Sequence, residues 1–111
     1  MSKMQRTKGS SYERKIANIF KQWFPSSKRH LEYQSQEAEL GVDVVAGPFM
    51  IQCKKWKNYA PISKIEEVRD GTHGIPLLVT AGDRKRDVVC MYLDDFQTLM
   101  NDVNVIHKEA A

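Results

Sequence analysis

Long apolar runs, cysteines and repeated segments are all scarce in this chain. Hydrophobic residues make up 41% of its 111 residues, yet no stretch approaches the roughly 20 apolar residues that a membrane span requires. The start, Met-Ser-Lys-Met-Gln-Arg-Thr-Lys, carries charge with no apolar segment behind it, so no signal peptide and a cytoplasmic location are expected. Two cysteines, Cys53 and Cys90, are too few for a disulfide scaffold. Each lies in an apolar run, as buried free thiols do in a reducing compartment. Neither joins His30, His73 or His107 at the close spacing of a structural zinc site. No repeat or low-complexity tract interrupts the chain, and its 28% charged content goes with an apolar supply that a disordered chain lacks.

What is present is enough for one domain with one core. The net charge of +3 and a pI near 8.9 permit a nucleic-acid partner without requiring one. The distribution says more than the total. Lys3, Arg6, Lys8, Arg14, Lys15, Lys21, Lys28 and Arg29 crowd the first part of the chain. Lys54, Lys55 and Lys57 surround Trp56 and precede Tyr59, and Arg84, Lys85 and Arg86 form a third group. Solvated charge is the plain reading of each, but an aromatic among lysines also suits a phosphate-rich ligand.

The spacing predicts a helix over about 11–24. Ser10 and Glu13 make a capping signature, Ile16, Ile19, Phe20 and Trp23 form one apolar stripe, and Pro25 is the stop. Weak alternation suggests a strand over 28–34, followed by a polar loop over 35–40. Val42–Ala46 and Phe49–Lys55 read as a hairpin about Gly47-Pro48. Ser63 and Glu66 repeat the capping signature for a short helix to about Gly71, with Ile65 and Val68 inward. Strands follow over 76–81 and 88–93. A last helix runs from Asp94 or Asp95 to about Asn101, with Phe96, Leu99 and Met100 inward. Residues 1–8 and 107–111 read as tails around a domain at 9–106. The order α-β-β-β-α-β-β-α indicates an α/β fold, a central mixed sheet flanked by helices.

If the hairpin turns between Gly47 and Pro48, Asp43 stands opposite Gln52. Lys54 then shares the face of Gln52, while Cys53 points the other way. A carboxylate, an amide oxygen and an ammonium in a sheet otherwise made of Val, Ile, Met and Phe call for a chemical reason. A hard divalent cation supplies one. Asp43, Gln52 and the backbone carbonyl of Cys53 offer it oxygen ligands, and Glu13 is a fourth ligand or an acceptor through water. Lys54 would hold the attacking water and counter charge on a phosphorane. Taken singly, each residue has a simpler explanation: a cap for Glu13, an edge carboxylate for Asp43, a snorkelling stem for Lys54.

In order and approximate spacing, Gly9-x-x-x-Glu13-Arg14, Gly41-Val42-Asp43-Val44-Val45-Ala46 and Ile51-Gln52-Cys53-Lys54 resemble the PD-(D/E)xK nucleases. The helix-borne glutamate and single-domain length are similar to archaeal and phage Holliday-junction resolvases. Gly-Val-Asp with Gln-Cys-Lys-Lys-Trp is similar to Mrr-like restriction endonuclease domains, where Gln takes the place of the usual acid. The resemblance covers about residues 8–95. It implies the restriction-endonuclease-like fold and Mg²⁺-dependent cleavage of DNA, with Mn²⁺ as a substitute, in a prokaryotic or phage-infected cell. Glu13, Asp43, Gln52 and Lys54 fall on its active-site positions. Lys8, Arg14, Ser35, Lys55, Trp56 and Lys57 are expected against DNA, Ser35 as the loop serine of the resolvases. The chain has no room for a separate base-reading domain, which favours branched or junction DNA, and cutting two strands symmetrically calls for a homodimer. Two other readings stay open: a restriction or nicking nuclease working with a partner, and a DNA-binding module that Gln52 has left without turnover.

Overall fold

The stripe of Ile16, Ile19 and Phe20 does lie on a helix in the computed structural model, which describes residues 3–29, 41–68 and 74–110. This helix, α1, spans Lys3–Phe20 and so begins well before Ser11. The run ahead of Ser10 consists largely of good helix formers without proline, and nothing in it halts the helix. Ser10 is therefore an interior residue and not a cap, and its hydroxyl accepts a bond from the Arg29 guanidinium at 2.7 Å. Tyr12, Ile16 and Ala17 are buried, with Ile19 and Phe20 packed beside them. Trp23, expected on the same stripe, falls in the turn after α1 and is 61% exposed.

Five strands form one mixed sheet in the order β1-β2-β3-β4-β5. They are β1 (Lys28–Arg29), β2 (Val44–Ala46), β3 (Phe49–Lys55), β4 (Ile75–Ala81) and β5 (Val88–Cys90). Only β3 and β4 run parallel; the other neighbours are antiparallel. The rest of the strand expected over 28–34 lies outside the described residues. The crossover from β3 to β4 carries a 3₁₀ helix, Ile62–Glu67, in place of the expected α-helix. Its cap is Pro61, held extended, and not Ser63; Ile65 and Val68 do point inward.

Alternation along β3 builds a layer on each face. Ile51 and Cys53 join Val44, Ala46, Leu77, Val79 and Ala81 in the cluster under α1. Met50 turns the other way, into a smaller cluster with Val42 and Val68 beside the 3₁₀ helix. The last helix, α2, spans Leu93–Ala110, longer than its sequence pattern indicated. Phe96 and Met100, expected inward, are 45% and 39% exposed. Val88, Val89, Tyr92 and Leu93, close by in sequence, are exposed as well. Among the described residues no helix is long and apolar enough to cross a membrane.

Candidate active site

The hairpin turns where the glycine-proline pair places it. Gly47 takes φ +55°, the left-handed conformation that the first residue of such a turn requires. The pairs Val44↔Ile51, Val45↔Met50 and Ala46↔Phe49 follow the expected register. At Asp43 the ladder slips. The Asp43 N–H donates to the Ile51 carbonyl at 2.8 Å, although Ile51 already faces Val44. Two residues thus oppose one, the arrangement of a β-bulge, which re-aims the extra side chain. Asp43 does not stand straight across from Gln52, as strict pairing would have it. Its Oδ2 instead accepts from the Cys53 N–H at 2.9 Å. Paired residues in an antiparallel ladder exchange both bonds, so a residue's N–H and C=O point to the same side. The Cys53 carbonyl therefore points toward Asp43, where β2 has already ended.

Gln52 is the unusual residue of β3. Only 2% of its surface is exposed, in the middle of a sheet. Its Nε2 donates a very short hydrogen bond to Oε2 of Glu67, at the end of the 3₁₀ helix. Its Oε1 is buried and, among the described residues, has no hydrogen-bond partner. A buried acceptor left in that condition costs about 1–3 kcal/mol, so among the described residues the fold tolerates a polar atom that no neighbour satisfies. Glu67 is held on its other oxygen by Lys64 Nζ at 2.8 Å. The Lys64 ammonium keeps its carboxyl below the ordinary value, with the Gln52 bond and the charge of Lys54 adding to the effect.

The charges of Asp43, Glu13 and Lys54 act on the Cys53 thiol. Burial pushes the Cys53 thiol well up, and the charges of Asp43 and then Glu13 push it further, while Lys54 pulls it back. All of these charges are thus close enough to act on a single sulfur. Glu13 sits one turn before Ile16 and Ala17, at the end of the buried stripe of α1, and is half-buried. With Ser10 inside the helix, Glu13 has no capping box to complete. Gln52 thus lies on the 3₁₀ side of β3, the face that alternation also gives Lys54, Asp43 is bonded to the Cys53 N–H, and Glu13 is on α1, which covers the opposite face. Among the described residues, no three His, Cys, Asp or Glu side chains form a group that could hold a metal ion, so a donor set here has to include amide or backbone oxygens.

Glu67 is the residue that sequence reasoning missed. Its neighbour Glu66 drew attention through a capping signature, and nothing in the spacing separates one from the other. The place of Glu67 is fixed by Gly41. This glycine takes φ +81°, and a Cβ there would lie 2.5 Å from the Glu67 carbonyl oxygen. The Gly41-Val42-Asp43 segment is packed directly on the end of the 3₁₀ helix.

The basic clusters meet beyond the carboxyl ends of the parallel pair β3 and β4. Trp56 N–H donates to Ala81 O at 3.1 Å, and Asp83 N–H to Lys57 O at 3.0 Å. The Lys57 group is thereby joined to the Arg84-Lys85-Arg86 group. Trp56 and Tyr59 are 41% and 39% exposed, with Lys64 Nζ over the Trp56 ring and Lys85 Nζ over the Tyr59 ring, each at 5.7 Å. Lys55 faces α1 instead, its ammonium 6.0 Å from the Tyr12 ring centre. Arg14 is exposed on α1. Lys8 lies in α1, its side chain outside the described residues, as is the whole of Ser35.

Comparison with protein-family models, curated proteins and solved structures finds no match to this chain.

Proposed function

We propose that this chain is a metal-dependent DNA endonuclease of the PD-(D/E)xK type, acting on branched DNA such as a Holliday junction. The observation that carries the reading is the buried, unpartnered Oε1 of Gln52, on the same strand as Lys54 and next to the Asp43–Cys53 pair. The oxygens that would serve a cation are the Asp43 carboxylate, Gln52 Oε1 and the Cys53 carbonyl, with the Glu13 carboxylate as a fourth ligand or an acceptor through water. That set fits a hard cation such as Mg²⁺, with Mn²⁺ as its substitute. Such an ion, when bound, polarises the scissile phosphate and lowers the pKa of a water beside it.

The chain's own groups supply the rest. Asp43 is held at Oδ2 by the Cys53 N–H, which sets the direction of its carboxylate. Lys54 lies on the strand two residues beyond Gln52, placed to orient the attacking water and to oppose charge growing on the phosphate oxygens. The water oxygen bonds to phosphorus, the ester bond opposite it breaks, and the departing oxygen takes up a proton. Trp56, Tyr59, Lys57, Lys64, Lys85 and Arg86 form a cationic, aromatic rim that suits a sugar-phosphate backbone better than base edges. The exposed apolar surface of β5 and α2 offers a homodimer its contact, which paired cuts require.

Gln52 also favours a second reading, a module of this fold that binds DNA without cutting it, because an amide carries no charge to hold the cation. The two are separated by incubating a labelled four-way junction and its matched duplex with Mg²⁺, Mn²⁺ or EDTA. Paired nicks on the junction alone, abolished by EDTA, support the resolvase. Cutting of both substrates supports a restriction or nicking nuclease, and tight binding without cutting supports the inactive module. Asp43→Asn and Lys54→Ala are expected to remove cleavage while retaining fold and DNA affinity, since an Asn oxygen still accepts from the Cys53 N–H. Wild-type rates in either variant would sink the site.

A further inference from the structure

Gln52 raises a question of direction. An amide presents an acceptor at one end and a donor pair at the other, and only the acceptor serves a cation. Turned the wrong way, Gln52 would aim N–H groups at the site and repel what Asp43 attracts. An ionised carboxylate, by contrast, offers acceptors alone. Glu67 takes the Lys64 ammonium on Oε1 and the Gln52 amide nitrogen on Oε2. The amide has then only one orientation, with Oε1 turned away from Glu67 and left for another partner.

We propose that Glu67 is the positioning residue that makes Gln52 a cation ligand: its carboxylate holds Nε2, leaves Oε1 for the metal, and sets the charge that position 52 lacks one hydrogen bond away. Both Glu67 oxygens are engaged, Oε1 with Lys64 and Oε2 with Gln52, so Glu67 acts through the amide and not as a ligand itself. Its place is set by the backbone. Gly41 admits the Glu67 carbonyl where any Cβ would collide with it, which ties the 3₁₀ helix to the segment that delivers Asp43. Partners behind a metal ligand change affinity by about 10–100-fold when removed, and a negative charge next to a neutral ligand belongs in that range. The inference rests on the cation site proposed above.

The test is Mn²⁺ titration calorimetry on the whole protein without DNA, for the wild type, Glu67→Gln, Glu67→Ala and the double variant Gln52→Glu with Glu67→Gln. Each is first shown to be folded by urea unfolding in EDTA. Glu67→Gln is expected to weaken Mn²⁺ binding by about tenfold or more, because an amide partner permits both orientations of Gln52. The double variant is expected to return to near wild-type affinity, since a carboxylate at position 52 needs no orienting. A merely structural role for Glu67 would not be rescued in this way. Unchanged Mn²⁺ affinity in Glu67→Gln and Glu67→Ala, or failure of the double variant to recover, overturns the role of Glu67 alone. No Mn²⁺ binding by the wild type overturns the cation site itself, and the positioning role with it.

Discussion

Replacing Gln52 by methionine is expected to strengthen the fold while destroying the site. The two side chains are close in volume and shape, so packing around β3 is kept. Three changes decide the outcome. Removing the unpartnered Oε1 relieves about 1–3 kcal/mol. Losing the bond to Glu67 works against it by about 1.5 kcal/mol, the low end for a charged acceptor. The low end applies because the Glu67 side chain is 41% exposed and keeps Lys64, so water replaces the amide there. Placing a thioether in a position that is 2% exposed adds about 1 kcal/mol of apolar burial. The balance is a gain of about 0.5–2.5 kcal/mol, which in a domain of this size raises Tm by roughly 2–11 °C. The assay is urea unfolding in EDTA, repeated with Mg²⁺. The wild type is expected to gain stability from the cation and the variant none, because only a state that binds the ion is stabilised by it. A variant that is less stable than the wild type in EDTA by more than about 1 kcal/mol would refute the reasoning, since Oε1 would then have a partner worth keeping.

Two further outcomes follow from other contacts. Asp87 accepts from the Tyr12 hydroxyl at 2.8 Å and from Lys15 Nζ at 2.9 Å, tying the loop before β5 to α1. Lys15 holds the Asp87 carboxyl below its ordinary value, with Tyr12 and Lys55 contributing. The stability this provides is present above the ordinary aspartate value near pH 4 and is lost as pH falls through it toward the lower folded value. Asp87→Asn is therefore expected to flatten the acid limb of a stability–pH curve and to lower stability at neutral pH by about 1 kcal/mol, a figure kept small by the exposure of the ion pair. An acid limb as steep as the wild type's would count against the tie. Gly41→Ala must accept φ +81° and a Cβ 2.5 Å from the Glu67 carbonyl oxygen. It is expected to lose about 3 kcal/mol in urea unfolding, combining left-handed strain with the displacement of the 3₁₀ helix; a loss below about 1 kcal/mol would show that the two segments are not tightly packed.

Wherever one residue type acts through its own neighbours in sequence, the fold was legible. Gly47-Pro48 set the hairpin, and the alternation of Met50, Ile51, Gln52, Cys53 and Lys54 gave the two faces of β3 because strand periodicity does not depend on what covers each face. The capping signatures misled for the opposite reason. Ser10-x-x-Glu13 and Ser63-x-x-Glu66 are short patterns whose meaning depends on whether the backbone before them is already helical, or already held extended by Pro61. Phe96 and Met100 were assigned inward on helical spacing, which identifies an apolar stripe but not what the stripe faces.

The site divides along the same line. Asp43, Gln52 and Lys54 could be found because one hairpin carries them. Glu67 could not, since a crossover brings it there and its register is fixed by Gly41, far away in sequence. The bulge at Asp43 was equally hidden, although it decides the geometry: it moves the carboxylate off the strict partner of Gln52 and onto the Cys53 N–H. The result is that the Cys53 N–H holds Asp43 Oδ2 and Glu67 holds the Gln52 amide nitrogen, while Gln52 Oε1 has no partner among the described residues. A sheet selected only for stability would fill position 52 with a residue like Met50 or Ile51. A buried amide whose nitrogen is bound by Glu67 and whose oxygen has no partner among the described residues is what the proposed cation site calls for.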